Sequence, residues 1–268
     1  MLTVLAAIWL TPILWLVVTS FGVDAGPNIR SFFPESYTLE HYKELLFSAD
    51  SVSNFPQWFT NTLIVAIFTC MISTAFVLMT AYAMSFLRFR GRKGMMKTAI
   101  ILNLFPGFLG MIAVYFILRQ IGLTNSLPGL VIVYSASAGI DYLIAKGFFD
   151  TVSRSLREAA CLEGANEWTV FRRIILPLAK PIVVYTVINS FLFPWMDFVY
   201  ASIIMSSGVA TDKTVALGLF SMVDKVNRNR YFAQFCAGGV LVSIPISVLF
   251  IIMQKFYVEG VTGGSVKG

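Results

Sequence analysis

Only 13% of the 268 residues are Asp, Glu, Lys or Arg, too few to clothe the water-facing surface of a soluble domain of this size. His41 is the single histidine, which excludes a His-rich metal site and leaves a His-based catalytic triad without support. The three cysteines, Cys70, Cys161 and Cys236, are far apart and two lie inside apolar runs, so they signal packing rather than a disulfide framework. No GxxxxGK[ST] stretch occurs, so the loop and lysine that cradle ATP phosphates are absent from this chain. There is also no low-complexity tract and no short repeat, and residues 1–268 read as one membrane domain.

What is abundant is apolar surface. AVILMFWYC residues make up 57% of the chain and the mean hydropathy is +0.77, which points to lipid as the solvent. The first apolar run, residues 2–21, is about 30 Å long as a helix, enough to cross the hydrocarbon core. It lacks a basic leader and a small-x-small cleavage site, so it reads as a retained helix rather than a secretory signal. Further spans are expected at residues 58–86, 98–118, 127–149, 181–205 and 231–254. The fourth carries Asp141 and Lys146 and is expected to be shielded by other helices, with Lys146 snorkelling to the nearer surface. The fold class is therefore an all-α integral membrane protein with six transmembrane helices.

The net charge of +6 suggests a polyanionic partner, but the basic residues cluster between apolar runs and act as topology determinants, so nucleic acid is excluded. Arg88, Arg90, Arg92, Lys93 and Lys97 stand together with no acid between them, and Arg154, Arg157, Arg172, Arg173 and Lys180 fill the connection at residues 150–180. Both stretches belong on the cytoplasmic side. Six alternating helices satisfy this only with both termini cytoplasmic, which places 13 of the 20 basic residues inside. Residues 22–57, 119–126 and 206–230 then lie outside, and a short interfacial helix is expected within residues 38–47.

The connection between the fourth and fifth spans has its own pattern. Leu156, Arg157, Glu158, Ala159 and Ala160 are strong helix formers, Gly164 supplies a C-cap or a close backbone contact, and a second helix is expected to resume over Glu167 to Ile175 and to end before Pro177. This is a helix-turn-helix elbow, with Ala159 and Ala160 small enough for another protein to approach and Leu162, Val170, Phe171 and Ile174 as apolar contacts.

Glu158-Ala159-Ala160, three residues, Gly164, nine residues, then Ile174-Ile175-Leu176-Pro177 resembles the EAA loop of binding-protein-dependent ABC importer permeases, without a gap. The similarity extends to Pro194-Trp195-Met196-Asp197-Phe198, to residues 214–220 and to the terminal stretch 257–268, where the chain resembles MalG-type permeases of carbohydrate importers, those for maltose and maltodextrins above all. Such chains usually carry a cytoplasmic tail ahead of the first span, whereas here apolar residues follow Met1 at once.

The resemblance implies a transport subunit rather than an enzyme, in a bacterial or archaeal cytoplasmic membrane. It implies a MalF-like second permease, two ATP-binding subunits that carry the ATP and Mg2+, an extracytoplasmic sugar-binding protein and an oligosaccharide substrate; this chain itself binds no cofactor and no metal. Glu158, Ala159, Ala160, Gly164, Leu176 and Pro177 would couple to the ATPase. Gly263, Gly264, Lys267 and Gly268 of the C-terminal tail would lie at its interface, and residues 206–230 would reach toward the sugar-binding protein. Asn189, Trp195, Asp197 and Tyr200 are candidates for the substrate pathway because aromatic faces stack on pyranose rings and polar groups bind hydroxyls. The competing reading places Trp195 in an interfacial aromatic belt and gives Asp197 a capping or pairing role. Asn61 and Asn103, like Asn189, are expected in interhelical hydrogen bonds.

Overall fold

The computed structural model describes residues 2–23, 26–27, 32–48, 50, 52–104, 107–136, 141–207 and 209–263. Among them the helices are α1 (Leu2–Ser20), α2 (Glu40–Phe47), α3 (Phe55–Phe86), α4 (Arg92–Asn103), α5 (Gly107–Gln120), α6 (Leu127–Ala136), α7 (Asp141–Phe149), α8 (Arg154–Leu162), α9 (Glu167–Val170), α10 (Leu176–Leu178), α11 (Lys180–Met196), α12 (Val199–Ile204), α13 (Val215–Met222) and α14 (Arg228–Gly263). A π-helical turn, Phe171–Ile175, joins α9 to α10. The only extended pairing among the described residues is one antiparallel bridge, Gly22 to Tyr37.

Three helices are long and apolar enough to cross a bilayer, within Thr3–Ser20, Phe55–Phe86 and Arg228–Gln254, and two bent pairs, α6 with α7 and Glu167–Leu178 with α11, also qualify. Their outer faces carry what a water-soluble protein would bury: Ile8, Trp9 and Ile13 on α1, and Phe250, Ile251 and Ile252 on α14, are exposed. The run expected at 98–118 is not one described helix: α4 ends at Asn103 and α5 starts at Gly107, with Phe105 and Pro106 outside the described residues. The fifth span is shorter than expected: α11 stops at Met196 instead of continuing to about residue 205. The physical reason is Asp197, whose carboxylate accepts the backbone N–H groups of Tyr200 (3.3 Å) and Ala201 (2.9 Å) and so starts a separate helix, α12.

The chain divides into two compact units, residues 1–64 with 195–248, and residues 65–194 with 249–268. In the first, the N-terminal end of α3 is the organising element. Trp58 is fully buried, and a Cβ on Gly218 of α13 would fall on its indole ring, so only glycine lets the helix approach this closely. Asn61 donates to the carbonyls of Thr211 (2.8 Å) and Lys213 (3.0 Å), and Thr62 Oγ1 accepts the N–H of Val215 (2.9 Å). The segment before α14 is thereby stapled down and folded, with Val215 and Met222 in the core. Lys213 is packed over Trp58, and burial pushes its ammonium below the usual lysine range. The short helix expected within residues 38–47 is α2, anchored by fully buried Leu45. Asp50 is partly buried, but hydrogen bonds from Tyr231 and from the Ser53 and Val52 amides, with Arg230 nearby, outweigh that burial and hold its carboxyl below the usual range.

The core of the second unit gathers around the other end of α3. Val77, Leu78, Ala81, Tyr82 and Phe86 pack with Tyr142, Ala145 and Phe149 of α7 and with Ala160, Val170, Phe171, Ile175, Ala179 and Ile182 from the connection that follows. Ser73 accepts a hydrogen bond from Ser190 (3.3 Å), and Cys70 donates to the Val187 carbonyl (3.6 Å), tying α3 to α11. Lys146 does not simply snorkel: it is mostly buried and forms an ion pair with Asp150 one turn later.

Candidate functional site

The elbow is built from local rules. Ser153 caps α8 by accepting the Ser155 amide (3.3 Å). The helix ends with Gly164 at φ +89°, its N–H donating to the Cys161 carbonyl (3.1 Å) while Ala165 N–H donates to that of Ala160 (3.0 Å). This paired return of amides is a Schellman motif, which satisfies the last free carbonyls of α8. Gly164 is thus a C-cap rather than a point of close contact within the chain, since a Cβ there would meet nothing within 4 Å. Asn166 then caps α9 by accepting the Thr169 amide (2.8 Å).

The second arm does not end before Pro177. It runs through the π turn and α10 to Leu178 and breaks at Ala179, where the direction changes by 88° into α11. In the wide turn the Leu176 amide reaches back to Phe171, and Pro177 follows at the start of the next helical stretch, where its missing N–H is tolerated.

The faces of the elbow differ from the expected ones. Glu158 and Ala159 are exposed, but Ala160 is only 8% exposed and packs into the core of the second unit, so one alanine, not two, is open to a partner. Val170 and Phe171 are likewise buried, because the second arm turns that side toward α3 and α7. The exposed apolar surface is instead Leu162, at 90% exposure, with Leu156 and Trp168. Leu176 is half-buried, and Pro177 and Leu178 are exposed.

Polar groups fasten the elbow to its own unit. The Glu167 carboxylate accepts from Tyr82 Oη (2.6 Å to Oε2), from Arg157 Nε (3.1 Å to Oε2) and, at Oε1, from Arg157 Nη2. The Arg157 guanidinium, and after it the Tyr82 hydroxyl, hold the Glu167 carboxyl below the usual glutamate range; Glu167 in turn pushes Arg157 further up. Arg154 adds a hydrogen bond to the Ser85 carbonyl (3.3 Å). Beside the fork lies a groove of about 560 Å³ lined by Phe86, Leu87, Arg88, Phe89, Arg154, Arg157 and Glu158, rich in guanidinium groups. The sequence placed Arg157 in this connection without its partner, because an ion pair across a ten-residue turn follows no helical period; Leu156 was read only as a helix former and Trp168 was not singled out, because which side of the elbow stays exposed is decided by packing.

Of the pathway candidates, Trp195, Asp197 and Tyr200 belong to the first unit and Asn189 to the second. Trp195 is turned into the protein: it is 4% exposed and its ring meets Phe59 edge-on at 5.2 Å. Asp197 takes the capping role described above. Asn61 makes its bonds to another segment, as expected, whereas Asn103 bonds back to the Ala99 carbonyl (2.8 Å) within α4. Gly263 is the last residue of α14, and Gly264, Lys267 and Gly268 lie outside the described residues.

A family model described as the binding-protein-dependent transport system inner membrane component matches residues 77–263. The chain is 35% identical to the galactooligosaccharides transport system permease protein GanQ of Bacillus subtilis, the alignment covering 100% of this chain and 94% of that one. It is 30% identical to the maltodextrin transport system permease protein MdxG of the same organism, over 100% and 94%. The fold is similar to that in the crystal structure of a bacterial ABC transporter involved in the import of the acidic polysaccharide alginate, with a TM-score of 0.80, 23% identity and coverage of 96% of this chain and 93% of that chain.

Proposed function

Because the chain belongs to the binding-protein-dependent transport system inner membrane component family and is a multi-pass membrane protein, we propose that it is the permease subunit of an ATP-driven importer for short neutral oligosaccharides, maltodextrins first among them. The observation that carries this reading is the elbow at residues 153–178, whose Glu158, Ala159, Leu156, Leu162 and Trp168 stand exposed while its other side is packed into a hydrophobic core. An exposed apolar face on a rigid, capped turn suits a cleft on another protein. Cargo is the finer point: one relative's name gives maltodextrin and another's galactooligosaccharides, so both sugars enter the test.

In this reading the whole chain acts as one six-span transmembrane domain with both termini in the cytoplasm, beside a MalF-like second permease. Two separate subunits hold ATP and Mg2+. When they close, they carry the elbows with them, and Glu158, Ala159, Ala160, Gly164, Leu176 and Pro177 shape or support the contact. Gly263, Gly264, Lys267 and Gly268 extend toward the same subunits. A loaded binding protein outside must favour the same bundle state as ATP-driven closure, since only differential affinity for the two states couples them. Asn189, Trp195, Asp197 and Tyr200 shape the sugar pathway, Trp195 and Asp197 by packing and capping.

The deciding experiment is the ATPase activity of the complex reconstituted in liposomes, with binding protein loaded with maltodextrin, with a galactooligosaccharide, or empty. Stimulation by the maltodextrin-loaded protein is expected. Stimulation by the galactooligosaccharide alone moves the cargo and keeps the importer reading, while failure of any ATPase subunit to associate overturns it.

A further inference from the structure

Three elements distant in sequence meet on one carboxylate. Tyr82 lies at the end of α3, Arg157 on α8 and Glu167 in the first turn of α9, so the hydrogen bonds of Glu167 span separations of 85 and 10 residues. The fork sits above an aromatic cluster: the Tyr82 ring lies 5.1 Å from Phe171 and 5.2 Å from Phe86, and Trp168 lies 5.6 Å from Phe171. Arg154 and Ser85 add a second link between α8 and the same end of α3. Neither arm of the elbow therefore moves freely of the other, and neither moves freely of α3.

We propose that Tyr82, Arg157 and Glu167 are a coupling clasp: they lock both arms of the elbow to α3 and make α3 a second route, alongside the covalent one into α11, by which movement of the elbow enters the helix bundle. The inference rests on the reading that the elbow receives an ATPase subunit. The chemistry explains the choice of groups. A guanidinium fork fixes a carboxylate in two directions at once, which a point charge does not, and the tyrosine hydroxyl uses the remaining lone pair to bring in a third element. The exposed Glu158 is left free of this network to meet a partner, so two of the connection's three glutamates divide the work: Glu158 faces outward and Glu167 holds the inside.

Tyr82→Phe is the mildest probe, because it keeps the ring against Phe171 and Phe86 and removes only the hydroxyl. Glu167→Gln keeps the shape and removes the charge, and the pair Arg157→Glu with Glu167→Arg restores opposite charges in exchanged positions. Each is measured in proteoliposomes for ATPase association, stimulated hydrolysis and sugar taken up per ATP. The expected result is wild-type association and hydrolysis, with uptake per ATP falling about threefold for Tyr82→Phe and roughly tenfold for Glu167→Gln, the scale of one neutral and one charge-assisted hydrogen bond. The exchanged pair should recover part of the loss that Arg157→Glu causes alone. Unchanged uptake per ATP in both single variants overturns the clasp, as does a parallel fall in association, hydrolysis and uptake, which marks a merely structural role. A separate variant, Leu162→Asp, tests the underlying reading: if it leaves ATPase association intact, the docking face is wrong whatever the clasp variants do.

Discussion

A glycine at the bend of the elbow has two physical explanations, and replacing Gly164 separates them. Its φ of +89° lies in the left-handed region, where an ordinary L-residue costs about 1–2 kcal/mol. A Cβ would meet no atom of the chain within 4 Å, so the whole intramolecular penalty of Gly164→Ala is conformational. That penalty makes the native elbow roughly 5- to 30-fold less favoured against relaxed alternatives. Asparagine tolerates the left-handed region and is larger than alanine. If backbone conformation is what matters, uptake per ATP in proteoliposomes ranks Gly164→Asn above Gly164→Ala, with Gly164→Val lowest. If the reason is close approach of another protein, the order of Asn and Ala inverts, because the bulkier side chain suffers more. Hydrogen exchange at the Gly164 and Ala165 amides, both held by the Schellman bonds, provides an independent reading: Ala should speed exchange and Asn should not. An asparagine variant worse than alanine in both assays refutes the reasoning.

Gly218→Ala should destabilise the purified protein by about 1–3 kcal/mol through overpacking on Trp58, seen as a lowered melting temperature that a second substitution, Trp58→Leu, partly relieves. Asn61→Leu removes two hydrogen bonds to the Thr211 and Lys213 carbonyls and should cost about 1–3 kcal/mol, with protease cleavage within residues 206–213 as the readout. Glu167 also predicts a pH dependence. Its carboxyl titrates lower in the folded chain than unfolded, so its stabilisation is complete above roughly pH 5 and fades as the pH falls through the lowered value. The stability gap between the native chain and Glu167→Gln should be flat from neutral pH to about pH 5 and shrink below it; a gap that widens in acid contradicts the assignment.

The elbow was legible because its signals are local. Helix formers followed by a glycine signal a helix, a break and a second arm from residue preferences alone, and the structure realises the first helix and the break at Gly164, while the caps Ser153 and Asn166 emerge only in the structure. The apolar runs at 2–21 and 231–254 were legible for a similar reason, since length and composition suffice for a straight span. What remained hidden depends on direction. Composition did not tell that Ala160 faces inward while Ala159 faces out, because that is decided by packing against α3 and α7. The end of the fifth span differs because the capping role open to Asp197 was not carried through to its consequence: a carboxylate that serves two backbone amides starts a new helix. Proline also misled: Pro177 was expected to terminate the second arm, but the π turn ahead of it lets the chain remain helical to Leu178.

The right-angled turn at Ala179 gives the second arm a crank's geometry. The stretch Glu167–Leu178 stands at 88° to α11, and its twelve residues make an arm of about 18 Å. A sideways displacement of about 3 Å at the far end of such an arm turns the shaft by about 10°, the ratio of displacement to arm length. A displacement of the arm would then reach α11 as rotation about its axis rather than as translation along it. A shaft that rotates changes which of its side chains face a neighbour without leaving its depth in the bilayer, so its apolar surface need never be drawn into water.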